Sequence, residues 1–117
     1  MEDIKQTFYD KLEEYSKLKK DWISGGKPIH KDIIETSKMI IDRMENLEHW
    51  NIAPFINGSI LMDYRYAENH GCINIAQKGV SCYVVDNNYK TFQKNFGKNK
   101  EKVINELIDF INLSWQQ

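Results

Sequence analysis

The chain has 117 residues, of which 41% are hydrophobic and 28% are charged, and its formal net charge is −1. This length and composition suit one folded domain with a single core and exclude a largely disordered chain. The near-balance of 16 basic and 17 acidic residues gives no overall field that would draw the protein to nucleic acid or to an anionic membrane. We therefore expect residues 1–117 to form a single domain whose partners are recognised by local surfaces.

The sequence favours a reducing, intracellular location. The first residues, Met1-Glu2-Asp3-Ile4-Lys5, do not introduce the apolar run of a signal peptide, and no later segment approaches the ~18 apolar residues of a membrane span. Two cysteines are too few for a disulfide framework, and a domain of this size does not need one. We therefore expect a cytoplasmic protein, and the abundance of Ile, Lys, Asn and Tyr hints at an AT-rich bacterial genome.

Two amphipathic helices are predicted in the first half of the chain. From Ile4, apolar residues recur every three or four positions as far as Trp22. Ser24-Gly25-Gly26 is expected to end this helix, and a second periodic run begins near His30 and continues to Leu47. The short link between the two runs predicts an antiparallel helical hairpin.

The next segment alternates between apolar and polar residues and predicts an antiparallel meander of four strands. Turns at Asn57-Gly58, at 68–71 and at Lys78-Gly79 separate the strands, and Pro54 places the first strand at an edge of the sheet. Pairing the strands through these turns collects one apolar face, which we expect to lie under the helices. The predicted members of this face are Phe55, Ile60, Met62, Tyr64, Tyr66, Ile73, Ile75, Val80, Cys82 and Val84.

A last helix is predicted after an irregular, aromatic-rich segment at residues 89–96. Asn99 is its predicted N-cap, and a periodic apolar stripe runs from Val103 to Trp115. The predicted fold is therefore α+β. It consists of a helical hairpin, a four-stranded antiparallel meander and a C-terminal helix, with the helices packed on one face of the sheet.

The opposite face of the predicted sheet carries more apolar surface than a face in water usually does. It therefore predicts an interface, formed either by two copies related by a two-fold axis or with another protein partner. The predicted interface residues are Ile52, Ile56, Leu61, Asp63, Arg65, Ala76, Tyr83 and Val85. We thus expect a non-enzymatic interaction module, of an antitoxin, immunity or mobile-element kind.

A second hypothesis rests on the locally basic and aromatic segment at residues 89–102. Lysines there alternate with aromatic rings, a pattern that can follow a nucleic-acid backbone and stack bases. The corresponding nucleic-acid patch consists of Lys90, Lys94, Lys98 and Lys100. The alternative interpretation is that the aromatic rings attach a connecting segment to the core while the lysines stay in water.

Catalytic and metal-binding chemistry has little support in the sequence. Glu68 and His70 share one turn and could form the acid–base pair of a small enzyme, but so small a turn has no walls that exclude water. In the predicted register Cys72 and Cys82 point to opposite faces, where they could share neither a zinc ion nor a disulfide. The glycines fall at turns, and none has phosphate-loop spacing. We therefore predict no catalytic residue, no metal and no cofactor.

Two motifs resemble a family of small bacterial α+β proteins. The segment 22–29 reads Trp-Ile-Ser-Gly-Gly-Lys-Pro-Ile, and the segment 54–64 reads Pro-Phe-Ile-Asn-Gly-Ser-Ile-Leu-Met-Asp-Tyr. The family combines a Trp-x-x-Gly-x-x-Pro-Ile linker between helices with a Pro-x-x-(Asn/Asp)-Gly-x-Ile hairpin. The resemblance implies the same architecture for the helical hairpin and the first strands, and it implies no catalytic residue.

Overall fold

The computed structural model describes residues 3–66, 69–85, 90–95 and 100–115. Its elements, in chain order, are α1 Ile4–Tyr15, α2 Lys31–Arg43, β1 Trp50–Pro54, β2 Ile60–Tyr66, β3 Asn69–Ala76, β4 Gly79–Val85, β5 Lys90–Lys94 and α3 Lys100–Trp115. The strands form one antiparallel sheet in the order β1-β2-β3-β4-β5, and all three helices contact it. The prediction of an α+β fold is confirmed, with one strand more than expected.

Helices α1 and α2 pack against each other in antiparallel orientation. The Lys5 ammonium donates to the Asp42 carbonyl at 2.9 Å, and the Tyr9 hydroxyl donates to the Asp42 carboxylate, so the start of α1 lies at the end of α2. Helix α2 begins where the sequence predicts, because the Nδ1 atom of His30 accepts the Asp32 backbone N–H at 3.1 Å and caps the first turn.

The linker between α1 and α2 is longer than predicted. Helix α1 ends at Tyr15, where the Ser16 hydroxyl donates to the Glu13 carbonyl at 2.6 Å and the following N–H groups bond three residues back. Trp22 therefore does not continue the helical stripe. It is half-buried in the linker, and its indole N–H donates to the Lys27 carbonyl at 2.8 Å, which holds the two halves of the linker together.

The pairing of β1 with β2 differs from the prediction by one residue. Phe55 and Ser59 face each other across a three-residue loop, with the Phe55 N–H donating to the Ser59 carbonyl at 2.8 Å, and Ile52 pairs with Met62. A slip of one residue exchanges the two faces of a strand. Ile52, predicted for the exposed face, is therefore a core residue with 5% of its surface exposed, and Phe55, predicted for the core, is 45% exposed.

The other two turns preserve the predicted faces although both registers shift. β3 already begins at Asn69, opposite Tyr66, and Gly79 pairs with Ala76 instead of lying in a turn. Each shift is an even number of residues, so the same side chains still point to the core. Tyr66 lies beyond the core at the end of β2, where it is exposed and its ring packs on His49. The fully buried members are Ile60, Met62, Ile73, Ile75, Val80, Cys82 and Val84.

The last two elements complete the core. β5, predicted to be irregular, pairs with β4 and directs Phe92 to the core face. Helix α3 buries the stripe of Val103, Ile104, Leu107 and Ile111, as predicted, while the predicted N-cap Asn99 falls outside the described residues. None of the described helices is long and apolar enough to cross a membrane.

Candidate functional site

The face of the sheet opposite the helices is the surface on which the predicted interface depends, and we call it the outer face. The helices contribute their buried side chains to the core on the other side of the sheet. By register, the described side chains of the outer face belong to Asn51, Ala53, Leu61, Asp63, Arg65, His70, Cys72, Asn74, Ala76, Ser81, Tyr83, Thr91 and Gln93.

The structure places most, but not all, of the predicted interface residues on the outer face. Those that lie there are Leu61, Asp63, Arg65, Ala76 and Tyr83. Ile52 does not belong to the interface, because the one-residue slip buries it in the core. Ile56 lies in the loop after β1, where its carbonyl accepts the Lys27 N–H at 2.9 Å. Val85 holds an outer-face register position opposite His70, and its side chain is outside the described part of the chain.

The outer face is poor in charge. Of the 16 basic and 17 acidic residues in the chain, Arg65 and Asp63 alone occupy its described positions, and their Nε and Oδ2 atoms pair with each other at 3.5 Å. Tyr83 is 46% exposed there, and its ring makes an edge contact with that of His70. The described positions of the outer face thus hold no Lys or Glu, but they hold an exposed Tyr and an Arg, a composition that is closer to an interface centre than to a solvated sheet face.

An unsatisfied polar atom lies in the middle of the outer face. Asn74 is in the central strand β3, between Leu61 and Ser81 of the neighbouring strands. Its Oδ1 atom is buried and accepts no hydrogen bond from the residues that the structure describes. A buried amide oxygen without a donor costs about 1–3 kcal/mol. Because this oxygen is itself buried, a partner docked on the outer face would not reach it without a movement of the Asn74 side chain.

The edge of the sheet at β1 is closed to strand pairing. In an antiparallel strand alternate residues face the open edge, and here these are Trp50, Ile52 and Pro54. The Trp50 N–H donates to the Leu47 carbonyl at 3.0 Å, the Ile52 carbonyl accepts the Tyr15 hydroxyl at 3.1 Å, and Pro54 has no N–H. An added strand finds few free groups at this edge, which favours the outer face over the β1 edge as a surface for association.

Two lysines of the predicted nucleic-acid patch face carboxylates. Lys94 pairs with Glu106 at 3.4 Å, and Lys100 pairs with Asp32 at 3.8 Å. Each pair places a negative charge beside the ammonium group that a phosphate backbone would have to contact. This arrangement weakens the local positive field on which electrostatic binding of nucleic acid depends.

The described aromatic ring of the same segment faces the interior. Phe92 packs against Phe110 with ring centroids 5.7 Å apart, so it is not presented for base stacking. The side chain of Lys90, and the whole of Lys98, are outside the described residues. The described geometry therefore favours the alternative interpretation, because residues 90–94 form strand β5 and its ring, Phe92, packs on the core.

The two cysteines lie on opposite faces of the sheet, as predicted, and both are free thiols. Burial raises the pKa of the Cys82 thiol to about 12, and burial together with the adjacent Asp63 carboxylate raises the pKa of Cys72. Both thiols are thus protonated at neutral pH, which does not suit a nucleophile. Within the described ranges no three His, Cys, Asp or Glu side chains are grouped to hold a metal ion, and Glu68, the predicted partner of His70, lies outside them.

One concave site is not indicated by any sequence pattern. Lys20 and Lys27 of the linker, His30 at the start of α2 and Asn57 of the β1–β2 loop line a cleft of about 490 Å³. These residues are far apart in the chain, and the docking of the linker onto the hairpin loop brings them together. The two segments that carry the family resemblance, 22–29 and 54–64, border this cleft.

The chain was compared with family models, curated proteins and solved structures. No family model, no curated protein and no solved structure matches it with significant similarity. The resemblance to the small bacterial α+β family therefore stays a prediction, and function has to be argued from the geometry of this chain.

Proposed function

We propose that this protein is a non-enzymatic interaction module that self-associates through the outer face, with two copies related by a two-fold axis. The observation that carries the proposal is a sheet face that no other described element covers. On it Asp63 and Arg65 are the charged residues at described positions, and Tyr83 is exposed. The free state of both cysteines is compatible with a reducing compartment, and we propose the cytoplasm of a bacterium.

The size of the outer face is compatible with a dimer. Five strands spaced ~4.8 Å apart, each with about six residues that rise ~3.4 Å, present roughly 500 Å² in projection. Side chains and the surrounding loops increase the accessible area toward the ~800 Å² that each partner buries in an interface of standard size. Two such faces pack about 10 Å apart and exclude water from Leu61 and Tyr83.

A two-fold arrangement also accommodates the ion pair on this face. Because the interface is isologous, each protomer brings its own Asp63 and Arg65 to the contact. The two residues are 42% and 76% exposed in one chain, so each can exchange part of its solvent contact for the opposite charge of its partner. Such charges set the register of the contact more than its strength.

Leu61→Asp tests this proposal. Leu61 is half-buried on the outer face, and an aspartate there would bring an unpaired carboxylate into the contact. We expect the dimer dissociation constant to rise at least about 30-fold, measured by sedimentation equilibrium. Tyr83→Ala, which removes an exposed aromatic ring without adding charge, should weaken the dimer in the same direction.

Ile4→Asp is the matched control. Ile4 is also an exposed apolar residue, but it lies at the start of α1, where an acidic side chain is well tolerated. We expect this variant to associate like the wild type. The proposal is contradicted if the Leu61 and Tyr83 variants, shown by thermal melting to be folded, sediment with the same mass as the wild type.

A further inference from the structure

The cleft lined by Lys20, Lys27, His30 and Asn57, which we call the linker cleft, has walls that are fixed by hydrogen bonds. The Lys27 N–H donates to the Ile56 carbonyl at 2.9 Å, which joins the linker to the β1–β2 loop. Gly58 lies directly beneath the linker with φ 88°, and a Cβ atom there would meet the Pro28 carbonyl at 3.0 Å. The two loops thus approach more closely than most side chains at this position allow, and the cleft between them is preformed.

The acceptor atoms of two polar side chains in the linker cleft, Asn57 and His30, already accept hydrogen bonds from the protein. The N–H groups of these side chains are therefore what they can offer to a ligand. The Asn57 Oδ1 atom accepts both the Ser59 N–H at 3.1 Å and the Ser59 hydroxyl at 2.6 Å, which leaves the amide N–H groups of Asn57 available. The Nδ1 atom of His30 accepts the Asp32 N–H, so a neutral His30 ring carries its proton on Nε2. Both side chains therefore present N–H groups to a ligand.

The linker cleft is also positively charged. Lys20 and Lys27 line it, and no acidic residue does so in the part of the chain that the structure describes, although the chain has 17 of them. Neither lysine has a carboxylate within ion-pair distance among the described residues. Two acidic residues adjoin cleft residues in sequence. Asp21 follows Lys20 and makes no ion pair among the described residues, and the Asp32 carboxylate lies within 4 Å of Lys100 and of the cleft residue His30.

We propose that the linker cleft binds a small molecule that carries a phosphate group. Two lysines that pair with no described carboxylate, together with amide and imidazole N–H donors, complement the charge and the acceptor oxygens of a dianion. A volume of about 490 Å³ is several times larger than a phosphate ion needs, and Pro28, Ile33 and Ala76 supply apolar walls for the rest of the ligand. The cleft borders the outer face at Ala76, but the lysine variants and the Leu61 and Tyr83 variants change different residues, so each proposal has its own test.

Phenyl phosphate is a suitable probe because it combines a dianionic phosphate with an apolar ring. We expect a titration followed by amide NMR spectra to give saturable shifts for Gly58, Ser59 and Gln77 in the cleft, and affinity that falls as NaCl is added. Benzoate, which carries one negative charge on a similar ring, should bind several-fold more weakly. Inorganic phosphate should compete for the same residues.

Lys20→Gln and Lys27→Gln remove one ammonium group each and retain most of the side-chain stem. Each should weaken phenyl phosphate binding about five-fold, as expected for the loss of one partly exposed ion pair. Lys11→Gln, on α1 outside the cleft, is the matched control and should bind like the wild type. The proposal is overturned by shifts that do not saturate, by equal binding of benzoate, or by equal loss in the Lys11 variant.

Discussion

Ile52→Asp is expected to unfold the domain or to lower its free energy of unfolding by about 5 kcal/mol or more. Ile52 is 5% exposed on the core side of β1, where it pairs with Met62 and belongs to the same buried cluster as Trp50. The substitution removes a buried apolar side chain and replaces it with a carboxylate that has no cationic partner. Since a domain of this size is stable by only about 5–15 kcal/mol, chemical denaturation should show little or no folded population.

Phe55→Asp is the matched comparison, three residues further along the chain. Phe55 is 45% exposed, and its hydrogen bonds to Ser59 and Gly58 are made by the backbone, which the substitution leaves in place. We expect a change of no more than about 1 kcal/mol. The opposite ranking of the two variants would show that the hairpin closes through a two-residue Asn57-Gly58 turn, and that the register described above is wrong.

Gly79→Ala is expected to lower the free energy of unfolding, by less than Ile52→Asp does. A Cβ atom at Gly79 would lie 2.6 Å from the Lys94 carbonyl oxygen and 3.0 Å from the Asn95 Cα atom, both of them backbone atoms at the end of β5. Backbone cannot move aside as a flexible side chain can, so β5 must shift away from β4. We expect a loss of about 1–3 kcal/mol in urea denaturation, the usual cost of overpacking.

Ser81→Ala is the control for the glycine variant. Ser81 lies on the same strand with its side chain on the outer face, and its replacement should change the free energy of unfolding by less than about 0.5 kcal/mol. Hydrogen exchange adds a local readout, because the amides that pair β5 with β4 should exchange faster in Gly79→Ala alone. Wild-type stability and exchange in that variant would mean that β5 does not pass so close to Gly79.

The helices could be predicted where local signals agree. For α2 the apolar period, the capping His30 and the buried pair of Ile29 and Ile34 all indicate the same start, and the helix begins there. For α1 the apolar spacing continues through Leu18 to Trp22, but the chain leaves the helix after Tyr15. Spacing alone cannot distinguish a helix from a linker whose apolar side chains pack against the same core.

The strands show how a correct turn signal can give a wrong register. Asn57-Gly58 does form the hairpin loop, but Ile56 belongs to the loop as well, and Gly58 takes the left-handed conformation of a three-residue connection. The alternation of Trp50 and Ile52 with the polar Asn51 indicates that Trp50 and Ile52 share the core face of β1, as the structure has them. β5 had no such signal, since Phe92 is its single apolar residue, and pairing with β4 determines that strand.

The sites depend on tertiary structure to different degrees. The outer face could be predicted in large part, because even register shifts leave Leu61, Asp63, Arg65 and Tyr83 on one side of the sheet. The linker cleft could not be predicted, because its lysines and His30 come from the segment between α1 and α2, whereas Asn57 comes from a hairpin loop distant in sequence. Only the packing of those two loops makes Lys20, Lys27 and Asn57 neighbours.

Isotope-filtered NMR on a mixture of labelled and unlabelled protein tests the central proposal most directly, because it detects only contacts between different copies of the chain. The proposal predicts a particle of twice 13.9 kDa at high micromolar concentration, with intermolecular contacts at the side chains of Leu61, Cys72 and Tyr83 on the outer face. A single-chain mass at that concentration, or intermolecular contacts confined to the helices, would contradict it.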